Sequence, residues 1–249
     1  HGLKQKRLDN LNIDIGIFTN FSHDHLDYHK NMKEYFESKM YLFKKLLKNN
    51  SNIITDEDIK EFKQIRKISK LKKFKENNIG SNSGSIKILY SKFDQKDQII
   101  KIFTDKKIYN LKIPLIGFFQ IKNLLMAIVA ASLCGLNKEK ILKNIHKIKP
   151  VDGRLESVVN LKNNSNIIID FAHTPDALET SLKTLKKQFK KNIIIVFGCG
   201  GDRDKKKRSL MGKIAEKYSD KIFLTDDNPR YENPKKIRKD IKKGIKKVI

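Results

Sequence analysis

Arginine is scarce in this chain. Of 54 lysines and arginines only seven are arginine: Arg7, Arg66, Arg154, Arg203, Arg208, Arg230 and Arg238. A guanidinium is a planar fork that grips a carboxylate or phosphate at two points, which an ammonium cannot do. Where lysine is the default, each arginine raises the question of what it holds. Arg230 raises it most sharply. It lies in "IFLTDDNPRYENP", residues 222–234, where a short apolar run ends in two carboxylates, an amide and a proline. Pro229 restricts the backbone just before Arg230, which would limit the freedom lost on binding an anion.

Three other patterns carry chemistry. Lys39 sits on the apolar face of a helical pattern, with Tyr35 and Phe36 before it and Leu42 and Phe43 after it at helical spacing. A partly buried lysine keeps more neutral amine, the form that reacts with carbon dioxide, and the resulting carbamate is an anion able to hold magnesium. Alone, Lys39 reads as a lysine snorkelling to solvent. The nearby "TNFSHDHLDYH", residues 19–29, reverses that reading with three histidines and two aspartates just after a strand. Such a loop suits a divalent metal, and equally a set of satisfied polar side chains. "FGCGGDRDKKKRS", residues 197–209, puts glycines after a strand. Its backbone N–H groups could approach an anion, or the glycines could serve only a tight strand-to-helix turn. It is not a P-loop, since G-x-x-x-x-G-K-[ST] occurs nowhere in the chain.

The elements that must position these residues follow from periodicity. Residues 13–19 read as a buried strand and 31–48 as a helix. Residues 49–111 are lysine-rich, with short β-like runs at 86–89 and 99–103 and little sign of chemistry. Residues 117–133 read as a loop and a strongly apolar helix, with a second helix ending near Pro150. From there strands at 167–171, 193–197 and 221–225 alternate with helices at 175–189, around 208–218 and from Pro234 onward. That alternation predicts a parallel α/β sheet whose polar motifs lie beyond the carboxyl ends of its strands. The domain boundary is placed near residue 151, giving domains 1–150 and 151–249.

Composition sets the outer limits. The chain has 249 residues, is 39% hydrophobic and carries a formal net charge of +26. The charge invites a nucleic-acid-binding reading, but the lysines are scattered through every segment and no nucleic-acid motif accompanies them. No apolar run nears 18 residues and no signal-peptide pattern is present, so a membrane span is not expected. Cys134 and Cys199 match neither a disulfide framework nor a zinc spacing, which points to a reducing cytoplasm. The chain starts at His1 and its last helical pattern is cut at Ile249, so it reads as a piece of a longer protein.

Taken in order, "HGLKQKR", "FTNFSHDHLDYH", "SKMYLF", "FFQIKNLLMAI", "DGRLE", "DFAHTPDAL", "GCGGDRDKKKRSLMG" and "DDNPRYENP" resemble the Mur ligases of bacterial cell-wall synthesis. The resemblance covers most of the chain except residues 49–111. It implies an α/β fold: part of a central ATPase domain, residues 1–150, followed by a Rossmann-like parallel-sheet domain, residues 151–249, truncated at its C-terminus. It implies ATP-driven amide formation through an acyl phosphate, with Mg2+ as cofactor, in the branch that adds meso-diaminopimelate to UDP-N-acetylmuramoyl-L-Ala-D-Glu. Lys39 would be carbamoylated and hold magnesium with His25. Gln5 and Arg7 would bind the UDP-muramoyl dipeptide. Asn123, Arg154, Asp170 and His173 would contact ATP. Arg203, Asp227, Asn228, Pro229 and Arg230 would hold diaminopimelate, with Arg230 pairing to the carboxylate that L-lysine lacks. The family's UDP-binding domain, its P-loop and the end of its last domain have no counterpart here, so this piece alone is expected to be inactive. A monomeric cytoplasmic enzyme is expected. A lysine-adding relative or a folylpolyglutamate synthase-like ligase is the alternative within the class.

Overall fold

The computed structural model describes residues 2–22, 28–82, 84–94, 97–161, 163 and 165–246; His25 lies outside them. Two compact units are present, one built on His1–Phe21 with Tyr28–Lys149 and the other on Pro150–Ile249. No helix among the described residues is long and apolar enough to cross a membrane.

The first unit starts with β1 (Ile15–Phe18), which pairs in parallel with β2 (Asn52–Thr55), and β2 pairs in parallel with β3 (Lys75–Glu76). Between β1 and β2 runs α1 (Met32–Tyr41), capped by the Asn31 side chain accepting the Glu34 N–H at 2.9 Å. It continues as a π-helical turn, Leu42–Leu46. Helix α2 (Phe62–Lys72) follows β2. A second sheet contains β4 (Ile79–Gly80), β5 (Ile86–Asp94), β6 (Asp97–Thr104) and β7 (Lys107–Ile113); β4 and β5 are parallel, and β5, β6 and β7 form an antiparallel meander. Ile100 and Ile102 of β6 join one core with Ile121, Leu125, Ile128 and Val129 of α3 (Phe118–Leu133). That helical spacing makes one apolar stripe. A separate core of Phe18, Met40, Phe43, Leu47 and Ile53 joins α1 to β1 and β2. The unit closes with α4 (Lys138–Lys143) and a 3-10 turn, Ile145–Lys147.

Residues 49–111 are thus more structured than periodicity suggests. "NIIT" of β2 is too short a run to separate from its lysine-rich surroundings, yet it is the parallel partner of β1.

In the second unit β8 (Glu156–Asn160) and β9 (Asn166–Ile169) pair antiparallel. The alternation of strands and helices had put residues 167–171 in a parallel sheet; the short polar connection from β8 lets the two strands pair as neighbours instead. Downstream the parallel pattern holds. Strand β10 (Ile194–Phe197) pairs in parallel with β11 (Lys221–Leu224), with α6 (Lys206–Tyr218) as the crossover. Helix α5 (Pro175–Phe189) begins with a Thr174 cap and Pro175 in its first turn. Helix α7 (Pro234–Lys242) begins in the same way behind Asn233. Leu178, Leu182, Ile195, Met211, Ile222 and Ile241 form the core. Helices α6 and α7 meet at glycines: a Cβ on Gly212 would lie 2.2 Å from the Ile241 carbonyl oxygen, and one on Gly244 would lie 1.9 Å from that of Ser209.

Candidate functional site

In the first unit one candidate residue, Lys39, lies at the carboxyl end of β1, where open α/β sheets bind ligands. The Thr55 hydroxyl donates to the Phe18 carbonyl at 3.1 Å and ties the two strand ends together. Lys39 reaches this end from α1. Its half-buried side chain donates from Nζ to the Asn20 carbonyl at 3.3 Å and lies 5.6 Å and 5.1 Å from the ring centroids of Phe18 and Tyr35. Aromatic faces and a carbonyl oxygen favour a cation there, so the amine is held rather than loose in solvent.

Close approach of α1 to β1 makes this reach possible. Gly16 of β1 has no side chain, and a Cβ there would sit 2.5 Å from Leu47 Cδ1 and 3.1 Å from Phe43 Cε1. Gln5 and Arg7 are exposed on the N-terminal turns. That segment is strapped to the same helix by Lys4 to Glu34 and by the Tyr41 hydroxyl to Asp9 at 2.8 Å.

Asn123 is exposed on α3. Its neighbour Lys122 anchors the start of that helix just beyond β2, with Nζ 2.6 Å from the Asp56 carboxylate and 3.0 Å from that of Asp58. Burial works against the Lys122 charge, but the two carboxylates outweigh it and hold the amine above its ordinary pKa. Burial likewise opposes the Asp58 charge, yet bonds from Lys122 and Ser81 hold its carboxyl below the usual range. Nothing in the sequence singled out Lys122, one lysine among many.

In the second unit three polar clusters lie beyond strand ends. After β9, Asp170 accepts from the Leu155 N–H at 3.2 Å, its neighbour Phe171 N–H at 3.0 Å and the Ser181 hydroxyl at 2.5 Å. These bonds use most of its acceptor capacity and fix the turn that carries Arg154. The Arg154 guanidinium lies 4.7 Å from the centroid of the exposed Phe171 ring. His173 is exposed, its Nδ1 3.1 Å from the Phe171 carbonyl oxygen, and its own carbonyl accepts from Lys207 Nζ at 2.8 Å.

The second and third clusters are the glycine loop after β10 and the Asp227–Arg230 loop after β11, and they interlock. The Gly201 N–H donates to the Asn228 carbonyl at 2.9 Å, and Arg230 Nη1 donates to the Gly201 carbonyl at 2.6 Å. Glycine is required by this contact, since a Cβ on Gly201 would lie 1.9 Å from the Pro229 carbonyl oxygen. The Arg230 N–H donates to Asn228 Oδ1 at 3.2 Å, and its backbone is left-handed, with φ of 48°. The stiffness at Arg230 therefore comes from a strained backbone held by its neighbours, as well as from Pro229. Asp227 and Asn228 are exposed, as is Arg203 on the glycine loop.

Sequence reasoning missed what Arg208 does. It is 1% exposed, bidentate to Glu232 at 2.8 and 3.0 Å, and also bonded to Asp240 at 3.2 Å. Its bond, followed by the Asp202 N–H, holds the Glu232 carboxyl down at about 2. The scarcity of arginine was the available signal.

Among the described residues no group of three or more His, Cys, Asp or Glu could hold a metal ion. A magnesium ion at Lys39 would need the carbamate oxygens as its ligands, hard anionic donors of the kind it prefers. Carbamoylation starts from the neutral amine, so it would replace the contacts that the Lys39 ammonium makes with the Asn20 carbonyl and the two rings.

A two-unit α/β chain with polar loops beyond its strand ends has well-defined relatives. Residues 1–131 match the Mur ligase middle domain, and residues 153–249 match the Mur ligase, glutamate ligase domain. The chain belongs to the Mur ligase family. It is 43% identical, over 247 residues and 98% of its length, to the UDP-N-acetylmuramoyl-L-alanyl-D-glutamate--2,6-diaminopimelate ligase of Rickettsia bellii (strain RML369-C), covering 51% of that protein. A solved structure of a ligase with the same name matches 99% of the chain, and 50% of its own, at 32% identity and a TM-score of 0.65. The folylpolyglutamate synthase of Mycobacterium tuberculosis shares the fold at 18% identity, with a TM-score of 0.74 over 95% of this chain and 53% of its own. The chain spans about half the length of the curated relatives it matches.

Proposed function

We propose that the intact protein carrying this chain joins meso-diaminopimelate to UDP-N-acetylmuramoyl-L-Ala-D-Glu, with ATP as co-substrate, in peptidoglycan precursor synthesis in the cytoplasm. The observation that carries this reading is the anchored Arg230. A guanidinium beside Asp227 and Asn228 suits an amino acid with a carboxylate and an ammonium at its far end. The 43% identity to a ligase named for diaminopimelate supports the same substrate.

The chemistry follows from what a carboxylate lacks. Its oxygen is a poor leaving group, so the D-glutamyl carboxylate takes the γ-phosphoryl of ATP to form an acyl phosphate and ADP. The amine of diaminopimelate attacks the acyl carbon, phosphate leaves, and the amide remains. Magnesium, when bound, neutralises charge on the transferred phosphoryl. In this reading the carbamate of Lys39 and the imidazole of His25 would hold that ion, and Gln5 and Arg7 orient the UDP-muramoyl dipeptide. Asn123 and Arg154 contact ATP, with Asp170 fixing the turn under Arg154 and His173 nearby. Arg203 joins the diaminopimelate site.

The test compares phosphate release by the full-length protein with meso-diaminopimelate and with L-lysine, the UDP-muramoyl dipeptide present in both. Turnover confined to diaminopimelate is expected. Equal turnover with L-lysine would overturn the substrate assignment.

A further inference from the structure

The geometry points to Arg208 and Glu232 as positioning residues for amino-acid selection: a buried clamp that fixes the glycine loop against the Asp227–Arg230 loop and so sets where the Arg230 guanidinium stands. This rests on the proposed function, in which Arg230 holds diaminopimelate.

Arg208 lies in the first part of α6, and its side chain joins three separate segments. Nη2 donates to Glu232 Oε1 at 2.8 Å and to the Gly200 carbonyl at 3.4 Å, while Nη1 donates to Glu232 Oε2 at 3.0 Å and to Asp240 Oδ2 at 3.2 Å. Stapling α6 to α7 would need only Asp240. Glu232 belongs to neither helix: it sits in the loop two residues after Arg230.

The bonds around Glu232 lead back to Arg230. Glu232 Oε1 accepts the Asp202 N–H at 2.7 Å, and Asp202 Oδ2 accepts the Tyr231 N–H at 3.2 Å. The Glu232 N–H donates to the Pro229 carbonyl at 2.9 Å, closing a turn around Arg230. In that turn Arg230 is left-handed, a conformation that a non-glycine residue keeps only when its surroundings impose it. A bidentate fork from the buried Arg208 onto Glu232 fixes both distance and plane, a restraint of this kind. Lys205, 3.6 Å from Glu232 Oε2, is 62% exposed and cannot replace it.

In the full-length ligase, Glu232→Gln keeps the side chain's shape and removes its charge, and Arg208→Lys keeps the charge and removes the fork. Asp240→Asn weakens only the contacts on the helix side, to Arg208 and to Lys243. We expect Glu232→Gln and Arg208→Lys each to raise KM for diaminopimelate by about tenfold or more, with KM for ATP and for the UDP-muramoyl dipeptide within about twofold, and Asp240→Asn to leave all three nearly unchanged. Melting temperatures of all three variants report whether folding is retained, and a crystal structure of Glu232→Gln should show Arg230 off the Gly201 carbonyl. A rise in all three KM values together, an equal effect of Asp240→Asn, or an unchanged KM for diaminopimelate would overturn the clamp. Arg230→Ala separates the two levels. If it leaves KM for diaminopimelate unchanged, the functional reading fails; if it raises KM while Glu232→Gln does not, only the clamp fails.

Discussion

Gly201 and Pro229 meet backbone to backbone, leaving 1.9 Å between a Cβ built on the glycine and the proline carbonyl oxygen. No side chain fits, so Gly201→Ala must push the two loops apart and break the bond from Arg230 to the Gly201 carbonyl. We expect a loss of about 1–3 kcal/mol in stability, the range for overpacking a fitted contact. Thermal melting of the full-length variant checks it, and a KM for diaminopimelate that rises more than that for ATP locates the damage.

Arg230→Ala removes the guanidinium and leaves the strand ends intact. Weakening of diaminopimelate binding by about tenfold to a hundredfold is expected, the range for losing a charge-assisted hydrogen bond. ATP affinity should stay as it was. Titration calorimetry with each ligand measures both, and equal losses would contradict the assignment.

The carboxyl of Glu232 titrates near 2, against an ordinary value of 4.5, because Arg208 and the Asp202 N–H favour its charged form. A lowered folded-state pKa stabilises the protein fully above the unfolded-state value and loses that contribution as pH falls toward the folded one. The window is therefore about pH 4.5 down to about 2. Urea midpoints for the full-length protein should decline across that window more steeply than those of Glu232→Gln, which carries no such charge.

Lys39→Ala should abolish most turnover, by about a hundredfold or more if the carbamate anchors the charge that the transferred phosphoryl requires. With 13C-bicarbonate, the full-length wild-type protein should show a carbamate carbon resonance that the variant lacks. A wild-type spectrum without that resonance would remove the modification from the mechanism.

Local signals were readable wherever one segment decides its own structure. Helix α5 spans Pro175–Phe189, the stretch predicted from its proline start and apolar spacing. From β9 onward the order of strands and helices was equally plain, but β8 was not read and its antiparallel pairing with β9 replaced the expected parallel one. Partnership was not. Strand β2 is four residues in a lysine-rich stretch, and only its pairing with β1 explains it. The scarcity of arginine marked Arg208 as worth asking about, but its partners Glu232 and Asp240 lie 24 and 32 residues further along, and only folding brings them together. Asp170 fell inside the strand read at 167–171 and stood out only through the family resemblance, whereas its work of holding the turn beneath Arg154 depends on Leu155 and Ser181.

The π turn at Leu42–Leu46 adds a residue to the winding of α1 just past Lys39. Five residues wound at about 82° each turn the chain almost as far as four wound at about 100°, so the wider turn absorbs the extra residue and leaves Leu47 over Gly16. The slack is taken up locally, so the helix that carries Lys39 to the Asn20 carbonyl also lays Leu47 on Gly16, and loss of the extra residue should be tolerated better than a deletion in the regular part of α1.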